Sequence, residues 1–246
     1  MLGLNILLHS VKLVLWNWKT ALRISSPLIA ATLVFGVLFG GISATLESET
    51  STADVPWGPL ILFLATQVIA GLWVAVAWHR YVLLEEDAGS IIPRFAADRI
   101  GAYFFQGILV AVIVFLAAVL LGLGVAVFAI VLGPLAGSIV GGIFIVGFSL
   151  WLFYRISPTL PAAALGEPLS IGDAWRKSKP YSGAIFVMVL AMSVVSALAG
   201  ALVESTLSIS LGIYLIFTVI QTWISLMVGI SVLTTIYGVA VENRDL

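Results

Sequence analysis

The sequence predicts an all-α integral membrane protein of six transmembrane helices, and three observations carry that fold class. Hydrophobic residues make up 61% of the 246 and charged residues only 9%, with a mean hydropathy of +1.18. Soluble chains carry about 25% charge, so this one has too few charged groups to clothe a water-facing surface. Charge-free stretches long enough to cross a bilayer recur along the chain. All 11 Lys and Arg residues fall in the connections on one side of those stretches, the asymmetry of the positive-inside rule.

Residues 1–23 come first. Asn5, His9, Lys12, Trp16, Lys19 and Arg23 recur at steps of four and three and share one helical face. Leu4, Leu8, Val11, Leu15, Trp18 and Leu22 form an apolar stripe beside it. Such a helix suits the headgroup layer, with its tryptophans as anchors. The region before the first apolar core is too long and too patterned for a secretory signal peptide. Residues 24–46 carry no charge and predict span 1, since a helix needs about 20 residues to cross. The connection 47–57 holds Glu47, Glu49 and Asp54. Span 2 runs from about Gly58 to Leu84 and closes in Trp78-His79-Arg80-Tyr81. Residues 100–154 are uncharged and too long for one crossing, and Gly133-Pro134 with Gly137-Ser138 divides them into spans 3 and 4. Span 5 lies within 181–203 and span 6 within about 209–240, with Glu204 between them.

Basic residues cluster before span 1, between spans 2 and 3, between spans 4 and 5, and after span 6. Both termini are therefore expected in the cytoplasm. Lys19, Arg99 and Lys179 are spaced by 80 residues, each ending a basic lead-in to a span. The chain reads as a single membrane domain, 1–246, of three hairpin units, about 1–86, 87–166 and 167–246. Each unit has a short cytoplasmic interfacial helix and two spans.

Several classes of activity are excluded. A net charge of −1 provides no basic face for nucleic acid. The absence of cysteine removes disulfides, thiolate metal sites and thiol nucleophiles. Two histidines leave little material for a metal site. No phosphate-binding loop, nucleophile elbow or zinc-protease motif is present, so no cofactor is expected.

The candidate functional residues are few. His79 and Arg80 end span 2. His79 has the chemistry of a pigment or haem ligand or of a proton relay, but its depth favours side chains snorkelling to the headgroups beside Trp78 and Tyr81. Arg155 precedes Pro158 and Pro161, which remove backbone donors and free carbonyls. Such breaks build transporter sites; alternatively Arg155 clips the broken helix to Glu167 or to a lipid phosphate. Ser170 and Asp173 form a capping box for a short helix ending at Lys179-Pro180, with Trp175 dipping into the membrane surface and Arg176 and Lys177 near anionic headgroups. Gln67, Gln106 and Gln221 stand one per unit and suit hydrogen bonds between helices. Gly36 with Gly40 and Gly137 with Gly141 are small-residue faces, for packing inside the bundle or for a partner or second copy.

The run RISPTLPAAALGEPLS at 155–170, followed by Ala174-Trp175 and Ser178, resembles a group of uncharacterised bacterial six-span proteins. These are similar to the membrane domain attached to some glycerophosphodiester phosphodiesterases. The resemblance implies a bacterial inner-membrane protein in a lipid or envelope context. No catalytic residue carries over, because the soluble phosphodiesterase domain has no counterpart in this sequence. The expected function is a non-enzymatic accessory, assembly or binding subunit whose partners are membrane lipids and a protein or second copy. The alternative is a transporter or pore for a small or lipid-like solute.

Overall fold

The computed structural model describes residues 1–35, 57–86 and 92–246. The ordered elements among them are helices: α1 (Leu2–Trp16), α2 (Trp18–Ile24), α3 (Ser26–Phe35), α4 (Trp57–Leu84), α5 (Ala97–Leu132), α6 (Pro134–Ile156), α7 (Thr159–Leu165), α8 (Ile171–Ser178), α9 (Ser182–Ser205) and α10 (Leu211–Ala240). Five stretches among the described residues are long and apolar enough to cross a membrane: Trp57–Leu84, Ala97–Val127, Gly137–Leu165, Ile171–Ser208 and Leu211–Ala240. The chain is thus a multi-pass helical membrane protein. The first predicted span begins in α3, and its remainder, with Gly36 and Gly40, lies outside the described residues.

Local chemistry sets the helix boundaries. The uncharged run 100–154 breaks where predicted: Gly133 takes φ 83°, a value that suits glycine, and Pro134 opens α6. α7 ends on Gly166 at φ 85°, with Gly166 N–H bonded to the Ala162 and Ala163 carbonyls and Glu167 N–H to that of Ala162, the bonding of a Schellman cap. α8 opens on Ser170, whose hydroxyl accepts from the Asp173 backbone N–H at 3.1 Å.

Among the described residues, the short helices expected ahead of each pair of spans are not distributed evenly. α1 and α2 precede α3, and α8 precedes α9, but residues 93–96 are non-helical and α5 starts directly at Ala97. Lys19 therefore sits inside α2, Arg99 in the first turn of α5, and Lys179 in the 3-10 turn after α8. Equal spacing in sequence has produced three different local settings.

Among the described residues, the buried core lies at one end of the bundle. In α10 every residue from Ile230 to Ala240 is buried, together with Met227, and none from Leu211 to Leu226 is. In α4 the buried residues run from Ala70 to Leu83, and in α9 they are Ile185, Met188 and Val189. This is the end where α4 and α10 finish and α9 begins. Seven-residue α7 is seated there against α4, α5 and α10. α5 and α6 form an antiparallel hairpin in which Gly137 and Gly141 meet Ala129 and Val125; a methyl group at Gly141 would lie 1.9 Å from Val125 Cγ1.

α1 lies across this core on a face the two sequence stripes do not include. Gly3, Ile6, Ser10 and Val14 are buried against α9 and α10. A methyl group at Gly3 would stand 2.2 Å from the Ala184 carbonyl oxygen, so the crossing requires glycine.

Candidate functional site

Polar groups are concentrated within the core end. His79, Ser10, Ser178, Ser231, Thr234 and Thr235 are buried, and Arg155 is only 3% exposed. His79 does not snorkel to the surface. It and Trp78 are 0% exposed, because Ser231 and Thr234, one turn apart on α10, offer them partners. Trp78 Nε1 donates to Ser231 at 2.9 Å. The Thr234 hydroxyl donates to the Ile230 carbonyl at 2.9 Å. Its single proton is then spent, so it accepts from His79 Nδ1 at 2.8 Å. That tautomer leaves Nε2 as an acceptor, which the Tyr103 hydroxyl faces at 3.3 Å. Both ring nitrogens are thereby occupied within the protein.

Arg155 is held differently from either sequence expectation. Its guanidinium stacks between two indoles, 4.1 Å from the Trp175 ring centroid and 5.4 Å from that of Trp151. Nε donates to Ser178 Oγ and Nη2 to the Trp175 carbonyl, both at 2.9 Å. Glu167 instead accepts from the Tyr237 hydroxyl at 3.2 Å. Arg155 thus caps the C-terminus of α8, where unpaired carbonyls and the helix dipole favour a cation.

Arg80 and Arg244 act in the same way. Arg80 Nη1 donates to the Ala164 carbonyl in the last turn of α7 at 3.2 Å, and its Nε binds Glu86 at 2.5 Å. Arg244 Nη2 donates to the Leu83 carbonyl in the last turn of α4 at 2.8 Å. Arg99 lies over Gly166, where an added methyl would meet its Nη1 at 1.8 Å. Three arginines therefore stitch three helix ends into one layer.

The two prolines leave no exposed acceptors. The Tyr154 carbonyl, deprived of a donor by Pro158, accepts from the Ser157 hydroxyl at 3.0 Å. The Ser157 carbonyl, deprived by Pro161, accepts from Leu160 N–H at 2.8 Å. Thr159 and Pro161 are buried within α7. Of the amides, Gln67 donates to Thr32 at 2.9 Å, joining α3 to α4. Gln106 and Gln221 bond no partner among the described residues.

The remaining candidates are at the surface. Trp175 is partly exposed, Arg176 pairs with Asp173, and Lys177 is exposed. On α1, burial and then the Lys12 charge hold the His9 imidazole below its usual range. Three cavities among the described residues are about 340 Å³ between α5 and α6, lined by apolar side chains and glycines, about 140 Å³ between α6 and α9 beside Tyr154, and about 60 Å³ under the C-terminal residues. None of the three is lined by Arg155.

The sequence reading missed the hydroxyls. Ser10, Ser231, Thr234, Thr235 and Tyr103 carry the buried network, with Ser10 bonded to Thr235 at 2.9 Å. Their signal was the spacing of 231, 234 and 235, which places three hydroxyls on one side of an otherwise apolar helix. No family model matches the chain, and neither a curated protein nor a solved structure matches it.

Proposed function

We propose that this protein is a non-enzymatic subunit of an inner-membrane complex, acting by presenting helix surfaces to a protein neighbour in the plane of the bilayer. Its polar side chains support this reading by what they bind: His79, Arg80, Arg155 and Arg244 are committed to helix ends and to neighbouring hydroxyls. The single observation that carries the proposal is the coverage of α5. Its most apolar stretch is 6% buried, against 17–22% for the other four membrane-crossing stretches. Phe105, Phe115, Leu120, Leu123 and Ile130 stand exposed along α5. The Gly137/Gly141 face of α6 is already used against α5, so a partner or second copy would meet the large side chains of the hairpin.

The same proposal includes α3 continuing as a first crossing, six spans in three hairpins, and the arginine layer facing the cytoplasm of a bacterium. Arg176 and Lys177 would lie at the anionic headgroups, and the resemblance at 155–170 extends the reading to a lipid or envelope context.

The test places a photo-crosslinking amino acid at Phe115 or Leu123 in native membranes, with Val74 as a buried control. A discrete protein adduct is expected from the two α5 positions, and its mass separates a second copy from another chain. Lipid adducts alone, or solute flux through vesicles containing only the purified protein, would overturn the reading in favour of a carrier.

A further inference from the structure

α1 and its continuation α2 together have three faces, and each meets a different medium. The first is protein: Gly3, Ile6, Ser10 and Val14 are buried, and the helix is tied down by Ser10 to Thr235. Where α1 gives way to α2, the Tyr81 hydroxyl donates to Asn17 at 2.9 Å. Just past α2, Trp223 Nε1 donates to Ser25 at 2.8 Å. The second face is apolar yet uncovered, with Leu4, Leu8, Leu15, Trp18 and Leu22 exposed. The third is polar: Asn5, Lys12, Lys19 and Arg23 are exposed and His9 half-buried. At about 100° per residue the three faces lie roughly a third of a turn apart. A helix patterned in this way is stable only where protein, hydrocarbon and water meet, at the headgroup boundary.

The two lysines on that boundary are placed for an anion. Lys12 Nζ lies 5.8 Å from the Trp16 ring centroid, and Lys19 Nζ 5.7 Å from that of Trp18. Indoles sit at headgroup depth in membrane interfaces, so these contacts hold both ammonium groups at phosphate level. No acidic residue occurs before Glu47, and among the described residues no carboxylate pairs with Lys12 or Lys19.

We propose that Lys12 and Lys19 bind the phosphates of anionic phospholipids, and that α1, docked at once on α9 and α10 with its continuation tied to α4, transmits this binding as stabilisation of the whole core end. The occupant is a bilayer lipid, because the lysines border the apolar Leu8 and Leu15 face that would take its chains. This goes beyond the accessory-subunit reading and needs no protein partner, so it can fail or succeed independently of it.

The experiment uses the full chain in nanodiscs of phosphatidylcholine, with or without about one third phosphatidylglycerol. With two interfacial cations contributing, phosphatidylglycerol should raise the unfolding midpoint by about 4–8 °C at low salt. The rise should shrink in high salt. The Lys12→Gln, Lys19→Gln pair should lose it, and the Lys12→Arg, Lys19→Arg pair should keep it. Equal midpoints in both lipids for the native chain, or a full rise in the Gln pair, would overturn the proposal. An equal rise from millimolar inorganic phosphate in phosphatidylcholine would also overturn it, since the site would then take a free anion.

Discussion

At the scale of single residues, the chemistry of this protein is spent on ends of helices. Arg155 illustrates it best. Its two bonds reach acceptors set about one helical turn apart, Trp175 O and Ser178 Oγ, and its flat face rests on an indole. Lysine cannot reproduce that fork or that stacking. Arg155→Lys and Arg155→Ala should therefore both destabilise the chain, by about 1.5–3 kcal/mol for hydrogen bonds made by a charged group. Hydrogen exchange should rise across 171–178 in each. Exchange unchanged in the Lys variant would show that the charge alone suffices. His79 carries a second prediction. With Nδ1 on Thr234 and Nε2 facing Tyr103, added haem should give no ligation spectrum that His79→Gln abolishes. The sequence singles out both residues but does not show their surroundings, because the hydroxyl partners lie 155 positions away for His79 and 23 away for Arg155. Spacing along one segment cannot show a pairing between two.

At the scale of elements, small residues and prolines decide the packing. Gly141 faces Val125 at a separation that leaves no room for a side chain. Gly141→Val should open the α5–α6 hairpin, at a cost of about 1–3 kcal/mol for forced overpacking, read as a lowered midpoint of thermal unfolding in detergent. Gly142→Ala, where nothing lies within 4 Å, is the matched control and should leave the midpoint in place. Gly166→Ala should be damaging on two counts, its φ of 85° and the Arg99 guanidinium above it. The sequence made the Gly133-Pro134 break and the Ser170 cap legible, since both are written in contiguous residues. It did not show that α1 has a third, buried face. Gly3 and Ser10, two of its four buried residues, look too weakly apolar to mark one, and they are buried because small side chains allow close crossing.

At the scale of the whole molecule, composition made the multi-pass helical class legible, and the first of the six expected crossings begins in α3. Five stretches among the described residues are long and apolar enough to cross, and the sixth is an expectation with its own test. Reporters fused after Asp54 and after Lys177 should report opposite compartments, and the same compartment for both would remove the six-span topology. An 80-residue spacing of basic residues constrains charge and not helix starts: Lys19, Arg99 and Lys179 fall in three different local settings.

The one-ended core also orders events in time. Its closing wall, Ile230 to Ala240, is translated after every other helix that it contacts. Until that wall emerges from the ribosome, Trp78, His79 and Ser10 have no α10 hydroxyls to bond. The nascent protein must wait in the membrane with these groups unmet, and a chain stalled before Met227 should be cleared by membrane proteases much faster than one stalled after Ala240.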